Sequence, residues 1–274
     1  MNRQTLRSVS SDVLRPSAGQ RIVLLSSREL DKMRRVGRLA ANLLNYLEPM
    51  VQPGISTQML NDEADRWIRA HGAVSATLGY APPGYPPFSG SICTSVNEVV
   101  CHGIPSAKQI LKDGDIINID VTPILEGYHG DTSRTFWVGH PAPAARHLVE
   151  ATQEAMMCGI AEIKPGARIG DIGAAIQSYA EARGFSIVRD MVGHGVGRQF
   201  HMEPQIPHYG KRGSGLKLRS GMVFTVEPML NEGTYHLRFL ADRWTVVTQD
   251  NKLSAQFEHT VAVTGDGVEI LTLA

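Results

Sequence analysis

Four carboxylates stand in or beside segments whose sequences are typical of β-strands: Asp120, Asp131, Glu227 and Glu258. A carboxylate in an apolar strand is costly to bury unless a positive charge meets it. For Asp120 or Asp131 taken alone, a turn or capping residue at a strand end is the simpler interpretation. Four such acids favour a shared positive partner, and no run of Lys or Arg in these segments supplies one.

His194 lies between these acids in the chain, within the glycine-rich segment 193–197, which we predict to be a loop. Glycines let other groups approach a side chain closely. Four carboxylates and one imidazole can hold two divalent cations, which share a water and lower its pKa until it is a nucleophile at neutral pH. Oxygen-rich ligation with one imidazole suits Mn²⁺, Fe²⁺, Co²⁺ or Zn²⁺ and does not rank them.

Helices precede each group of strand-like segments. Ser26 and Glu29 form a capping-box pattern, and apolar residues then repeat at helical spacing. A second helix is predicted over 57–71, with Gly72 as its stop. Two further helices are predicted over 143–163 and 170–183.

The second pair of helices repeats the first. Pro53-Gly54 and Pro165-Gly166 are 112 residues apart, and the Gly stops Gly72 and Gly184 have the same offset. We therefore predict an internal duplication. Each α+β half would pack its helices on its own part of the sheet, with the site between the halves.

The composition is that of an ordinary globular protein and excludes several classes. The 274 residues carry 27 Lys+Arg and 27 Asp+Glu, and this zero balance argues against a dedicated nucleic-acid-binding protein. Cys93, Cys101 and Cys158 form neither a CxxC pair nor an even disulfide set, which favours a reducing compartment. No apolar run approaches the roughly 18 residues of a membrane span. We expect a cytoplasmic protein without a membrane segment.

Residues 1–25 differ from the rest of the chain. They carry four arginines, several serines and a single acid, Asp12, without an apolar stripe. Such a segment buries too little surface to order itself, so we expect a mobile arm before one folded domain over 26–274. The same composition is found in organelle transit peptides, and that alternative stays open.

Several motifs resemble the type I methionine aminopeptidases, and the resemblance extends from about residue 27 to the C terminus. The matching segments are 97–105 (NEVVCHGIP), 113–121 (DGDIINIDV), 193–197 (GHGVG) and 255–260 (AQFEHT). The intervals between the chemically active residues also fit the family, for example 11 residues from Asp120 to Asp131 and 31 from Glu227 to Glu258. A lone GHG motif is a weak signal, whereas several segments in register are specific.

The resemblance implies an α+β pita-bread fold, with two halves related by a pseudo-twofold axis and a central curved antiparallel sheet covered by helices. Residues 26–274 would form a single catalytic domain. The implied enzyme is a metal-dependent hydrolase that removes the initiator methionine from nascent chains with a small second residue. Its partners would be nascent N termini, with contact to the ribosome left open and with no nucleic acid or membrane, and it would act as a monomer.

The resemblance also assigns a role to each candidate ligand of the two divalent ions. Asp120 would chelate one ion, Asp131 and Glu258 would bridge both, and His194 and Glu227 would complete the second. Glu227 is also the residue expected to accept the proton of the attacking water.

Two histidines and an apolar pocket complete the implied site. His102 and His201 would hydrogen-bond the peptide and stabilise the tetrahedral intermediate, in keeping with histidine chemistry near neutral pH. The methionine side chain would bind among Tyr80, Cys93, Phe200 and Trp244. Aromatic rings and a thiol suit a polarizable thioether, although without the resemblance these residues would read as ordinary core.

The segment 81–90 (APPGYPPFSG) departs from the family pattern. It is several residues longer than in compact relatives and lacks the histidine that usually follows Tyr80. We expect this Pro-rich loop at the rim of the site, where the residues after methionine emerge. The departure puts Tyr85 in doubt as a pocket residue, and Thr77 stands where many relatives have Cys.

Three alternative assignments differ from this sequence in specific features. Prolidases and X-Pro aminopeptidases share the five ligands but add a large N-terminal domain, whereas about 26 residues precede the core here. Type II methionine aminopeptidases carry an insertion between the second histidine and the next Glu, but His201 and Glu227 are only 26 residues apart. A non-catalytic pita-bread scaffold would have lost metal ligands that are all present here.

Overall fold

The computed structural model describes residues 22–274. Of the predicted arm, residues 1–25, positions 1–21 therefore lie outside the described residues. Its last four residues belong to the folded body: the Leu25 side chain is buried, and the Leu25 N–H donates to the Gly221 carbonyl at 2.8 Å. The apolar run 22–25 explains this, because Ile22 and Leu25 pack against core clusters.

Four α-helices form where the sequence predicts them: α1 Ser27–Leu47, α2 Thr57–Ala70, α3 Pro143–Ala161 and α4 Ile169–Glu181. A short 3₁₀ turn, Glu48–Met50, follows α1. The Glu29 carboxylate reaches back to accept from the N–H and the hydroxyl of Ser26, which begins α1 as predicted. Gly72 and Gly184 both have positive φ, as a helix stop requires.

The strands are short and numerous. They are β1 Val74–Ser75, β2 Cys93–Val96, β3 Val99–Cys101, β4 Ile116–Val121, β5 Pro123–Leu125, β6 Tyr128–His129, β7 Thr132–Trp137, β8 Ser186–Ile187, β9 Gly193–Gly195, β10 Met202–Ile206, β11 Val223–Val226, β12 Met229–Asn231, β13 Leu237–Phe239, β14 Val246–Thr248, β15 Ser254–Gln256, β16 Glu258–Val263 and β17 Val268–Ile270.

Eight strands form the central antiparallel sheet. Its order is β10-β9-β11-β16-β7-β4-β2, and β17 pairs with the outer part of β16. Two three-stranded sheets, β1-β5-β6 and β15-β12-β8, flank it, and β13-β14-β3 forms a third. The central pair of the main sheet is β16-β7, and the candidate site lies across this pair.

The topology has the predicted twofold pattern. On one side of the β16-β7 pair lie β4 and β2, and on the other lie β11 and β9. The pairing of β1 with β5 corresponds to that of β8 with β12, and β8 begins 112 residues after β1, the offset seen between the Pro-Gly turns. The predicted duplication is thus visible in the fold.

Each helix pair covers its own half of the sheet. One buried cluster joins α1 and α2 to β4 and β7, through side chains such as Leu44, Leu60 and Ile119. Another joins α3 and α4 to β11 and β16, with Leu148 and Phe224 among its members. Burial of these apolar side chains fixes the two helix pairs on the sheet and leaves the opposite face for the site.

Two local predictions were wrong. Segment 193–197 is not wholly a loop, because Gly193–Gly195 forms β9 and pairs with both β10 and β11. The residue types of 255–263 predict one strand with Glu258 in its middle, but this run breaks at Phe257, because β15 pairs with β12 of a flanking sheet, whereas β16 belongs to the central sheet. Glu258 therefore begins a strand instead of lying in the middle of one.

Candidate metal centre

The central sheet brings the four carboxylates together. Asp120 near the end of β4 and Glu258 at the start of β16 both lie opposite Ser133 of β7, which separates the two strands. Asp131 comes just before β7, and Glu227 just after β11. Neighbouring antiparallel strands end and begin at the same edge, so all four acids lie there.

His194 reaches this cluster from β9. Its Nε2 is 3.5 Å from Asp131 Oδ2 and 3.7 Å from Glu227 Oε1. One ligand atom from each of Asp131, His194 and Glu258 lies within 4.8 Å of the others. The structure therefore brings together the five residues predicted as metal ligands.

The glycines around His194 permit this approach. A Cβ at Gly193 would lie 2.5 Å from the Thr225 carbonyl oxygen, and one at Gly195 would overlap the backbone of Glu203. His194 Nδ1 lies 3.1 Å from the Gly195 carbonyl, which can only accept, so Nδ1 carries the proton. The lone pair of Nε2 is left to face the carboxylates, as a metal ligand requires.

Burial makes the cluster electrostatically unfavourable by itself. It raises the pKa of Asp120 to about 7 and that of Glu227 to about 8. Burial and, next, repulsion from neighbouring carboxylates raise the pKa values of Asp131 and Glu258 well above their usual range. Four acids at one site thus need an added positive charge to be ionised together.

The protein does not supply that charge from its own side chains. Within residues 22–274, no Lys or Arg forms an ion pair with the four carboxylates. Burial lowers the pKa of His194 to about 4, so its ring is neutral at pH 7. Asp120 Oδ1 is buried and has no hydrogen-bond partner among the described residues. An unpartnered buried carboxylate oxygen beside a neutral imidazole fits a site built for divalent cations.

Hydrogen bonds hold the ligands in place. Thr122 Oγ1 donates to Asp131 Oδ1 at 2.7 Å, and Thr225 Oγ1 donates to Glu227 Oε1 at the same distance. Thr225 Oγ1 also accepts the His194 N–H at 3.0 Å, so one hydroxyl holds two ligands. Such bonds orient metal ligands and tune them.

His208 supports the cluster from behind. It is buried, and its Nε2 accepts the Glu227 N–H at 3.0 Å. Sequence reasoning missed His208, Thr122 and Thr225. The two threonines, each close in sequence to an acid at a strand end, were a usable signal, whereas nothing in the sequence around His208 points to Glu227.

A cavity of about 340 Å³ opens next to the cluster. It is lined by Asp120, Asp131, His194, Glu227 and Glu258 at one end. The other predicted site residues also line it: Tyr80, Cys93, His102, Phe200, His201 and Trp244. Tyr85, whose place in the pocket was in doubt, is among the lining residues as well, and so is Thr77.

The apolar end of the cavity is a small aromatic cluster. Buried Phe88, Cys93 and Trp244 pack together, with Tyr80 against them. The rings of Phe88 and Trp244 meet edge to face at 5.3 Å, and those of Tyr85 and Trp244 are 5.0 Å apart. Phe88, Met191 and Met229 also line the cavity and were missed, because single apolar residues in loops and short strands look like ordinary core.

The Pro-rich segment 81–90 forms part of the rim. Trp244 Nε1 donates to the Pro86 carbonyl at 2.8 Å, and Thr77 Oγ1 donates to the Gly90 carbonyl at 3.2 Å. Tyr85 remains 41% exposed while it lines the cavity. The loop therefore supports the pocket wall and also presents the Tyr85 side chain to a molecule that enters the cavity.

Two histidines flank the cavity. His102 has a left-handed backbone, with φ of 56°, and its ring meets Trp244 edge-on at 6.1 Å. His201 is packed among Phe200, Tyr80 and His194. Burial lowers the pKa of His102 to about 4, and desolvation by this packing lowers that of His201 to about 3, although part of His201 remains exposed. Both rings are neutral at pH 7 and can donate and accept hydrogen bonds.

Comparison with known proteins places the chain in a family. The model of metallopeptidase family M24 matches residues 31–265. Methionine aminopeptidase B of Synechocystis sp. is 78% identical over 274 residues, which is the full length of both chains. In addition, no helix within residues 22–274 combines the length and apolarity needed to cross a membrane.

Solved structures agree. The crystal structure of methionine aminopeptidase from Rickettsia prowazekii matches with a TM-score of 0.89 and 51% identity, over 92% of this chain and all of that one. An Xaa-Pro dipeptidase from Bacillus anthracis matches with a TM-score of 0.73 over 92% of this chain and 62% of its own, but at 21% identity it shows the fold alone. The chain therefore belongs to the methionine aminopeptidases of metallopeptidase family M24, metal-dependent hydrolases with the pita-bread fold.

Proposed function

We propose that residues 26–274 form one catalytic domain that removes an N-terminal methionine by the attack of water activated between two divalent cations. The observation that carries the proposal is the direct opening of the buried carboxylate cluster into an apolar, aromatic-lined cavity. An exopeptidase of this kind needs a hydrolytic centre and a side-chain pocket within one peptide unit of each other.

The five clustered side chains would hold the cations. Asp120 would chelate one ion, Asp131 and Glu258 would bridge, and His194 and Glu227 would bind the other. The bound ions would supply Lewis acidity and lower the pKa of a shared water. The donor set fits Mn²⁺, Fe²⁺, Co²⁺ and Zn²⁺ and favours none of them.

The protein's own groups would carry the remaining steps. Glu227, held by Thr225 and by the His208 contact to its backbone, would accept the proton of the attacking water. His102 and His201, both neutral, would hydrogen-bond the peptide and stabilise the oxyanion that develops on its carbonyl.

The apolar end of the cavity would bind the methionine side chain. Tyr80, Cys93, Phe200 and Trp244 offer rings and a thiol to the thioether, and Phe88 closes the wall behind Trp244. The rim formed by the loop 81–90 would lie next to the second residue of the substrate, and a small residue there would pass it most easily.

Nascent polypeptides are the natural substrates of such a site. The monomeric state, the cytoplasmic location and any contact with the ribosome stay predictions. The X-Pro peptidase alternative has only a fold-level likeness behind it. The non-catalytic scaffold is disfavoured by the intact set of five clustered ligands.

The test is the release of free methionine from a Met-Ala-Ser peptide in buffer supplemented with each candidate metal in turn. The reference substrates are an Ala-Pro peptide and N-formyl-Met-Ala-Ser, whose α-amine is blocked. We expect release from Met-Ala-Ser alone. Cleavage of the Ala-Pro peptide without release of methionine would overturn the proposal.

A further inference from the structure

Tyr80 connects the apolar pocket to one of the two histidines beside it. Its hydroxyl lies 2.9 Å from Nδ1 of His201, and the two rings stack with centroids 5.3 Å apart and an interplanar angle of 28°. The same Tyr80 ring packs at 5.1 Å from Phe200 and 6.4 Å from Trp244 in the pocket wall. One side chain therefore contacts both the pocket wall and the histidine.

The direction of this hydrogen bond decides which nitrogen of His201 carries the proton. A neutral imidazole has one N–H and one lone pair, so the partner of Nδ1 also determines the state of Nε2. At 2.9 Å, either the Tyr80 hydroxyl donates to an unprotonated Nδ1 or a protonated Nδ1 donates to the phenol oxygen. A neutral phenol is a strong donor, and Nδ1 is the natural acceptor.

We propose that the Tyr80 hydroxyl is a positioning group that donates to Nδ1 of His201 and thereby fixes the tautomer with the proton on Nε2. His201 then offers an N–H donor to the peptide carbonyl in the cavity that it lines. The inference rests on the proposed role of His201. It adds a second task to Tyr80, beyond its part in the methionine pocket.

Phe200 and His129 make the arrangement rigid. The ring centroids of Phe200 and His201 are 4.1 Å apart, and His129 stacks on Phe200 with an interplanar angle of 13°. His129 Nδ1 in turn lies 2.9 Å from the Gly197 carbonyl, to which it donates. The His201 ring is thus restrained by packing, and the hydrogen bond of the Tyr80 hydroxyl determines which of the two ring nitrogens carries the proton.

The test is Tyr80→Phe, which keeps the ring, the stacking and the pocket wall but removes the hydroxyl. We expect kcat for Met-Ala-Ser to fall roughly tenfold, the effect of one lost hydrogen bond, with KM within about twofold of the parent. Tyr46→Phe is the matched control, because among the described residues the exposed Tyr46 hydroxyl donates only to Glu63, at 3.4 Å, and this variant should change neither constant.

A spectroscopic measurement reads the tautomer directly. In ¹⁵N spectra of the zinc-loaded protein, assigned with His201→Gln, the His201 ring should show a protonated Nε2 and an unprotonated Nδ1. Tyr80→Phe should convert this pattern to a mixture of the two tautomers. An Nδ1 that is protonated in the parent, or a pattern that Tyr80→Phe leaves unchanged, would overturn the inference.

A double-mutant comparison separates the two proposals. If His201→Gln lowers kcat and Tyr80→Phe adds nothing in that background, the hydroxyl acts through His201. Full activity of His201→Gln would refute the proposed role of His201 itself, whatever the spectra show. Independent and additive losses would overturn the positioning role of Tyr80 alone.

Discussion

Replacing Asp120 by Asn should stabilise the metal-free protein while it destroys the metal site. Asp120 lies near the end of β4 and is partly buried, and its Oδ1 is fully buried without a hydrogen-bond partner among the described residues. The ionised carboxylate therefore destabilises the folded protein unless a cation binds beside it. Asn has the same shape, carries no charge, and can donate to the neighbouring carboxylates.

The size of the effect follows from the Asp120 pKa. A rise from 3.8 to about 7 means that the ionised form is disfavoured in the folded protein by about 4 kcal/mol, which is the upper limit of the gain at alkaline pH. The loss of weak polar contacts reduces this gain, and we expect about 1–3 kcal/mol at pH 8.

The sign of the pH dependence follows from linkage. In the folded, metal-free protein, Asp120, Asp131, Glu227 and Glu258 bind more protons between pH 4 and 8 than they do in the unfolded chain, because their pKa values are all raised. The contribution of these four groups to the free energy of unfolding therefore falls as the pH rises through this window. The advantage of Asp120→Asn should be near zero at pH 4 and should grow toward pH 8.

The assay is urea unfolding of the metal-free parent and variant at pH 5 and pH 8, followed by a repeat with added Mn²⁺. Asp62→Asn, a change at an exposed position on α2, is the control and should leave both curves unchanged. Mn²⁺ should stabilise the parent but not Asp120→Asn. A metal-free variant that is less stable than the parent at pH 8, or that is equally stabilised by Mn²⁺, would refute this account of the cluster.

Two further predictions concern the residues around the centre. Thr225→Val removes the hydroxyl that hydrogen-bonds both the Glu227 carboxylate and the His194 backbone. The Mn²⁺ affinity measured by calorimetry should therefore fall about tenfold or more, whereas Thr225→Ser should retain it. Equal affinities of the Val and Ser variants would contradict the role of this hydroxyl. Shortening the loop 81–90 removes the Pro86 carbonyl that accepts the hydrogen bond of Trp244. A panel of Met-Xaa-Ser peptides should then show an altered preference for the second residue, with a smaller change in kcat for Met-Ala-Ser. An unchanged preference would refute the proposed place of the loop at the rim of the site.

The sequence predicts the helices and the ligands because their signals are local. The capping pattern at Ser26 and Glu29 and the glycine stops specify helix ends within a few residues. An acid inside an apolar strand, such as Asp120, is conspicuous by its cost. The repeated Pro-Gly turns also predict the duplication that is found in the sheet topology.

The remaining features depend on contacts between distant parts of the chain. The strand-like run 255–263 breaks at Phe257 only because the strands on either side of it join different sheets. His208 reaches the Glu227 backbone, and Phe88 reaches Trp244, across 19 and 156 positions of the sequence. No local periodicity encodes such pairs. The supports of the site are therefore harder to predict than its ligands.

The most direct test of the central claim is the location of the metal ions themselves. Crystals grown with Mn²⁺ should show two anomalous difference peaks at the manganese edge, both within the cluster of Asp120, Asp131, His194, Glu227 and Glu258, separated by roughly 3.5–4 Å. Two such peaks would establish the dinuclear centre proposed for the carboxylate cluster. A single peak, peaks elsewhere, or no peak in crystals that release methionine when dissolved would contradict it.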